Sequence, residues 1–237
     1  MEAEKQRAKQ LVVGILAHVD SGKTTLSEAM LYRSGTIRKL GRVDHKDAFL
    51  DTDALEKARG ITIFSKQALF TAGNTDFTLL DTPGHVDFSA EAERSLQVLD
   101  YAVLVISGTD GVQAHTETLW RLLKRYSVPV FLFISKMDLL GADRAALMDG
   151  LQKGLDEGCV DFGKPEEALQ DRLAMCDEAA MEKFLSSGAL DGGDITRLIR
   201  ERRLFPCFFG SGLRLEGVEA LLDALDAYTK PAEAREE

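Results

Sequence analysis

Short apolar runs alternate with amphipathic stretches along this chain, and the alternation predicts its architecture. "LVVGIL" (11–16), "YAVLVI" (101–106), "PVFLFI" (129–134) and "LFPCFF" (204–209) are nearly unbroken apolar runs. Strands buried on both faces of a parallel sheet read this way. "ITIFSKQALF" and "DFTLLD" flank the turn-rich "TAGNT" and predict a hairpin. Between the runs, apolar residues recur three and four apart. Lys23 to about Arg33, "AEAERSLQVL", "TETLWRLLKRY" and "GVEALLDALDAY" are therefore predicted helices. Residues 34–60 are polar and charged without periodicity, which predicts a long loop. Strands alternating with helices imply an α/β fold with a mostly parallel central sheet and helices on both faces.

One segment breaks this rhythm. Residues 141–203 are helix-like and hold 14 acidic and 9 basic side chains, half of the chain's excess charge. They read as a helical insertion into the core fold. Over all 237 residues, 29 basic and 39 acidic side chains give a net charge of −10. That balance argues against a general nucleic-acid-binding surface. Cys159, Cys176 and Cys207 lack zinc-ligand spacing and read as reduced thiols. "MEAEKQRAKQ" has no apolar stretch of the signal-peptide kind. No apolar run approaches the ~20 residues of a membrane span. A soluble, cytoplasmic protein is the expectation.

The chemistry begins at "AHVDSGKTT" (17–25), between the first strand and the first helix. Gly22-Lys23-Thr24 complete the pattern G-x-x-x-x-G-K-[ST], with Ala17 at its first position. Backbone N–H groups of Ser21 to Thr25 at a helix N-terminus would face phosphates, aided by the helix dipole. Gly22 lets the backbone come close, Lys23 neutralises phosphate charge, and the Thr24 hydroxyl can ligate Mg²⁺. Alanine serves at position 17 only if that residue avoids positive φ. Asp81, ending the strand "FTLLD", suits a water-mediated contact to the same cation. Asp20 has two readings: a charge or cap at the helix N-terminus, or the aspartate that holds a monovalent cation in the translational GTPases this loop resembles.

"SKMD" (135–138) ends the strand "PVFLFIS" and resembles Asn-Lys-x-Asp, the guanine-reading element of GTP-binding proteins, with serine in the first place. An aspartate such as Asp138 selects guanine because its two oxygens accept from the base's N1–H and N2–H₂, a donor pair that adenine lacks. The stem of Lys136 can lie over the base. Serine offers one hydroxyl where asparagine offers an amide. The loss of one hydrogen bond predicts roughly tenfold weaker nucleotide binding, with selectivity kept by Asp138.

Together these elements resemble translational GTPases of the elongation factor G type, and among them the tetracycline-resistance ribosomal protection proteins. "AHVDSGKT", "ARGITI" (58–63), "DTPGHVDF" (81–88), "SKMD" and "FFGSGLRLEG" (208–217) appear in the family's order. The resemblance implies a P-loop GTPase fold over 1–230, with 231–237 beginning a linker to further domains. It implies that His85 positions the attacking water, with Val19 and Ile61 as an apolar gate. Thr62 would join Thr24 and Asp81 on Mg²⁺, and Gly84 would offer its N–H to the γ-phosphate. Ser211-Gly212-Leu213 would supply a backbone N–H to the guanine O6. Glycine replaces the family's alanine at 212, which predicts a looser loop. The implied partners are guanine nucleotide and the ribosome.

Three functions fit these residues. A ribosome-activated GTPase domain uses every element. A nucleotide-dependent binding module with little hydrolysis would not need His85, Thr62 and Asp81 all intact. A P-loop ATPase conflicts with Asp138.

Overall fold

The computed structural model describes residues 9–40, 66–81 and 96–231. Residues 90–95 of "AEAERSLQVL", most of the 34–60 loop, and Ile61, Thr62, Gly84 and His85 lie outside them. Among the described residues seven strands form one sheet: β1 (Lys9–Ala17), β2 (Lys66–Ala72), β3 (Thr75–Asp81), β4 (Tyr101–Ser107), β5 (Val130–Ser135), β6 (Cys159–Asp161) and β7 (Phe205–Phe209). Their spatial order is β2-β3-β1-β4-β5-β7-β6. Every pairing is parallel except the β2–β3 hairpin, in which Gly73 and Asn74 make the turn.

The helices among the described residues are α1 (Lys23–Arg33), α2 (Ala114–Arg125), α3 (Arg144–Gly154), α4 (Glu166–Ala174), α5 (Glu178–Ser187), α6 (Gly192–Arg200) and α7 (Val218–Tyr228). Successive side chains of a strand point to opposite faces, so an unbroken apolar strand feeds two cores. Tyr101, Val103, Val105, Phe131 and Phe133 pack on one face with Leu26 and Met30 of α1 and Leu221 and Leu225 of α7. Ala102, Leu104, Ile106, Val130, Leu132 and Ile134 pack on the other with Leu119, Trp120 and Leu123 of α2. Helices therefore cover both faces, as the apolar runs require. Full burial of such a side chain contributes roughly 1.5–3 kcal/mol.

The stretch 141–203 differs from its helical expectation in one respect. It supplies four helices, and also the strand β6, which pairs with β7 and forms one edge of the sheet. Arg144, at the start of α3, clamps this strand. Its Nε and a terminal guanidinium nitrogen meet the two carboxylate oxygens of Asp161 at 2.8 and 2.5 Å, and its guanidinium lies 4.6 Å from the centre of the Phe209 ring. Cys159 and Cys207 are buried, and burial pushes the Cys176 thiol up to about 11. No helix among the described residues is long and apolar enough to cross a membrane.

Candidate functional site

The described candidate residues gather beyond the C-terminal ends of β1, β3, β5 and β7, where open α/β sheets place their ligand crevices. Ala17 closes β1 in extended backbone, so it does not need the left-handed conformation that alanine resists. That conformation falls to Asp20 (φ 61) and Gly22 (φ 87). Aspartate visits it more readily than most residues, and glycine freely. Gly22 then starts α1, and its carbonyl accepts the first helical bond, from Leu26 N–H, at 2.9 Å. The preceding N–H groups of the first turn have no helical acceptor. Gly22 holds the N-cap position of α1 and makes no side-chain cap bond there.

Asp81 ends β3 and is fully buried. Its carboxylate meets Lys23 Nζ at 2.7 Å, and no hydrogen-bond donor among the described residues reaches either oxygen with bonding geometry. A buried carboxylate with one cationic neighbour is an anionic oxygen donor, the type Mg²⁺ prefers. With the Thr24 hydroxyl on the first turn of α1, the residues fit that ion. Among the described residues, no group of three or more histidine, cysteine or carboxylate side chains is arranged to hold a metal ion by itself.

The guanine-reading candidates occupy two neighbouring loops. Ser135 is the last residue of β5 and is buried. Its hydroxyl donates to the Ser21 carbonyl at 2.5 Å, and Ile106 O lies 3.3 Å away. The serine thus keeps a direct tie between this loop and the phosphate-loop candidate. Lys136 adopts φ 58, a conformation side-chain-bearing residues usually avoid. Met137 N–H donates to Gly210 O at 3.1 Å, joining the β5 loop to the β7 loop. Asp138 is mostly enclosed, with a side-chain exposure of 10%, and Arg214 Nε lies 3.3 Å from its Oδ2.

In the β7 loop, Ser211 is buried and exchanges backbone bonds with Glu216 in both directions, at 3.1 and 3.0 Å. Leu213 is exposed at the tip. Gly212 departs from expectation. It is packed, not loose: a Cβ there would lie 3.2 Å from Leu26 N, Thr25 C and Thr25 O. The glycine lets this loop sit on the first turn of α1.

Three contributors carry no signal that the sequence reading used. Gly108 follows β4 and donates its N–H to Ser135 O at 2.8 Å; a Cβ there would meet the same oxygen at 2.8 Å. Asp110 lies at the rim, and the Ser107 hydroxyl foremost holds its carboxyl below the usual range, with Lys136 and His18 contributing positive charge. The third is Arg214. The pattern of a glycine two residues after an apolar strand could have singled out Gly108. Nothing local announces Arg214.

Comparison with known proteins identifies the same architecture. The sequence pattern of the family described as Elongation factor Tu GTP binding domain matches residues 8–231. The chain is 36% identical to the tetracycline resistance protein TetP of Clostridium perfringens, over 93% of this chain and 37% of that protein. It is equally identical to elongation factor G of Ureaplasma parvum, over 90% of this chain and 38% of that protein. The chain therefore spans little more than a third of these relatives. A crystal structure of a Thermus thermophilus protein superposes with a TM-score of 0.83 at 25% identity, covering 94% of this chain and 40% of that one.

Proposed function

The chain belongs to the elongation factor Tu GTP-binding domain family and is a GTPase domain, and from that premise we propose that it hydrolyses GTP in response to the ribosome, as the nucleotide-binding part of a factor of the tetracycline ribosomal protection type. The observation that carries this reading is the seam between the two recognition loops. Ser135 bonds the Ser21 carbonyl, so the loop that reads a base and the loop that would hold phosphates are joined across 114 positions of sequence.

The site residues then divide the work. N–H groups of Gly22 to Thr25 face the phosphates, the Ser21 N–H being held by the His18 carbonyl at 3.2 Å, and Lys23 exchanges its Asp81 partner for phosphate oxygens. Thr24, Asp81 and, by family likeness, Thr62 would hold Mg²⁺, which when bound offsets the phosphate charge. Asp138 accepts from the guanine N1–H and N2–H₂ while Lys136 covers the base. The Ser211-Gly212-Leu213 backbone meets O6. His85 orients the attacking water behind Val19 and Ile61, and the Gly84 N–H holds the γ-phosphate. Asp20 would keep a monovalent cation beside the phosphates.

Two measurements test this. Fluorescent GDP with Mg²⁺ is displaced by GTP and GDP but not by ATP; equal displacement by ATP would sink the guanine assignment. Phosphate release from GTP rises with added ribosomes in the wild type and not in His85→Ala. No release above background in the wild type would leave a nucleotide-dependent binding module.

A further inference from the structure

Asp138 is already engaged by a side chain from the facing loop. Arg214 stands on the same loop as Leu213, and its backbone N–H bonds Ser211 Oγ at 3.3 Å, which fixes where the side chain starts. From there its Nε reaches within 3.3 Å of Asp138 Oδ2. The two partners are unequal: the carboxylate is 10% exposed and the guanidinium side chain 60% exposed. Arg214 therefore approaches the enclosed carboxylate from the solvent side. A base that places its N1–H and N2–H₂ on Asp138 uses both carboxylate oxygens, including the Oδ2 that Arg214 faces.

An enclosed carboxylate is costly without a cationic or hydrogen-bonding partner. Arg214 meets that need through an ion pair at the long end of bonding distance, and its charged head keeps access to water. Leaving costs the arginine little, because it is already largely hydrated. We propose that Arg214 is a displaceable latch on the guanine-reading carboxylate. The base exchanges with it, so the guanidinium lowers affinity without contributing to selectivity. This inference rests on the guanine reading of Asp138.

The test compares wild type with Arg214→Ala, binding Mg²⁺·GDP and Mg²⁺·IDP at low and at high NaCl. Inosine lacks the N2 amino group, so the GDP-to-IDP ratio reports how well Asp138 is placed. A latch acts before the base arrives. Its removal tightens both nucleotides by one common factor, roughly 1.5- to 5-fold, the range that exposed ion pairs span. The ratio stays constant, and the gap between the two proteins closes at high salt. An alanine variant that binds more weakly, or discriminates less against IDP, overturns the latch and makes Arg214 a positioning residue. An unshifted variant that still binds GDP also overturns it. If neither protein binds either nucleotide, the guanine reading itself falls and takes the latch with it.

Discussion

Replacing Ser135 by alanine removes a single oxygen from the seam between the loop after β5 and the turn after β1. That oxygen donates to Ser21 O at 2.5 Å, and Ser135 is only 3% exposed, so water has no open route to replace it. A buried acceptor left unpaired costs about 1–3 kcal/mol. Both partners belong to the protein, so the loss falls first on the fold and only secondarily on binding. For a chain of this size the melting temperature falls by roughly 2–4 °C per kcal/mol, or about 2–12 °C in all. Nucleotide affinity weakens through the freed Ser21 segment, by less than about tenfold, because the larger share of the cost has already been taken by stability. Thermal melts and displacement of fluorescent GDP read the two parts separately. Ser135→Asn serves as the opposite arm: it restores a second polar group and binds about tenfold tighter. An alanine variant that melts and binds with the wild type would refute the idea that this hydroxyl holds the loops together.

Asp81→Asn strips the charge from a buried pair and deprives Lys23 of that counter-charge. Breaking such a pair costs about 3–5 kcal/mol, so the melting temperature drops clearly, and saturating Mg²⁺·GDP recovers part of the loss as phosphate restores negative charge. A melt unchanged by the substitution would mean that the 2.7 Å contact carries no stability. Gly212→Ala pushes a methyl to within 3.2 Å of the Thr25 and Leu26 backbone. Overpacking of that kind costs roughly 1–3 kcal/mol, visible in thermal melts; an equally stable variant would show that the first turn of α1 gives way instead.

The strands were readable because burial on both faces demands unbroken apolar runs, and "YAVLVI" or "PVFLFI" can serve little else. The turn between β1 and α1 was readable because "AHVDSGKTT" stands between an apolar run and an amphipathic stretch. β6 was not: Cys159–Asp161 is too short to show a period, and its strand character comes from pairing with β7, which lies beyond three helices. The role of Ser135 was half legible. Its position in the motif pointed to the base, but its acceptor, a carbonyl 114 positions away, has no side-chain identity to read. Gly212 misled for a related reason. Glycine on a loop suggests freedom, whereas here its missing Cβ admits a neighbouring helix. Arg214 was invisible because an ion pair between two loops is a property of the folded arrangement.

The three-residue strand β6 also decides how this domain can be shortened. Excising 141–203 as a self-contained appendage would strip β7 of its outer neighbour and turn "FPCFF" into a bare sheet margin. An apolar strand with unpaired N–H and C=O groups invites pairing between molecules. The natural margin is blunt by comparison, three residues long and closed at its end by the Arg144–Asp161 clamp. A trimmed protein that keeps 141–164 and joins it back to β7 retains that safeguard, whereas complete excision trades a helical ornament for a propensity to aggregate.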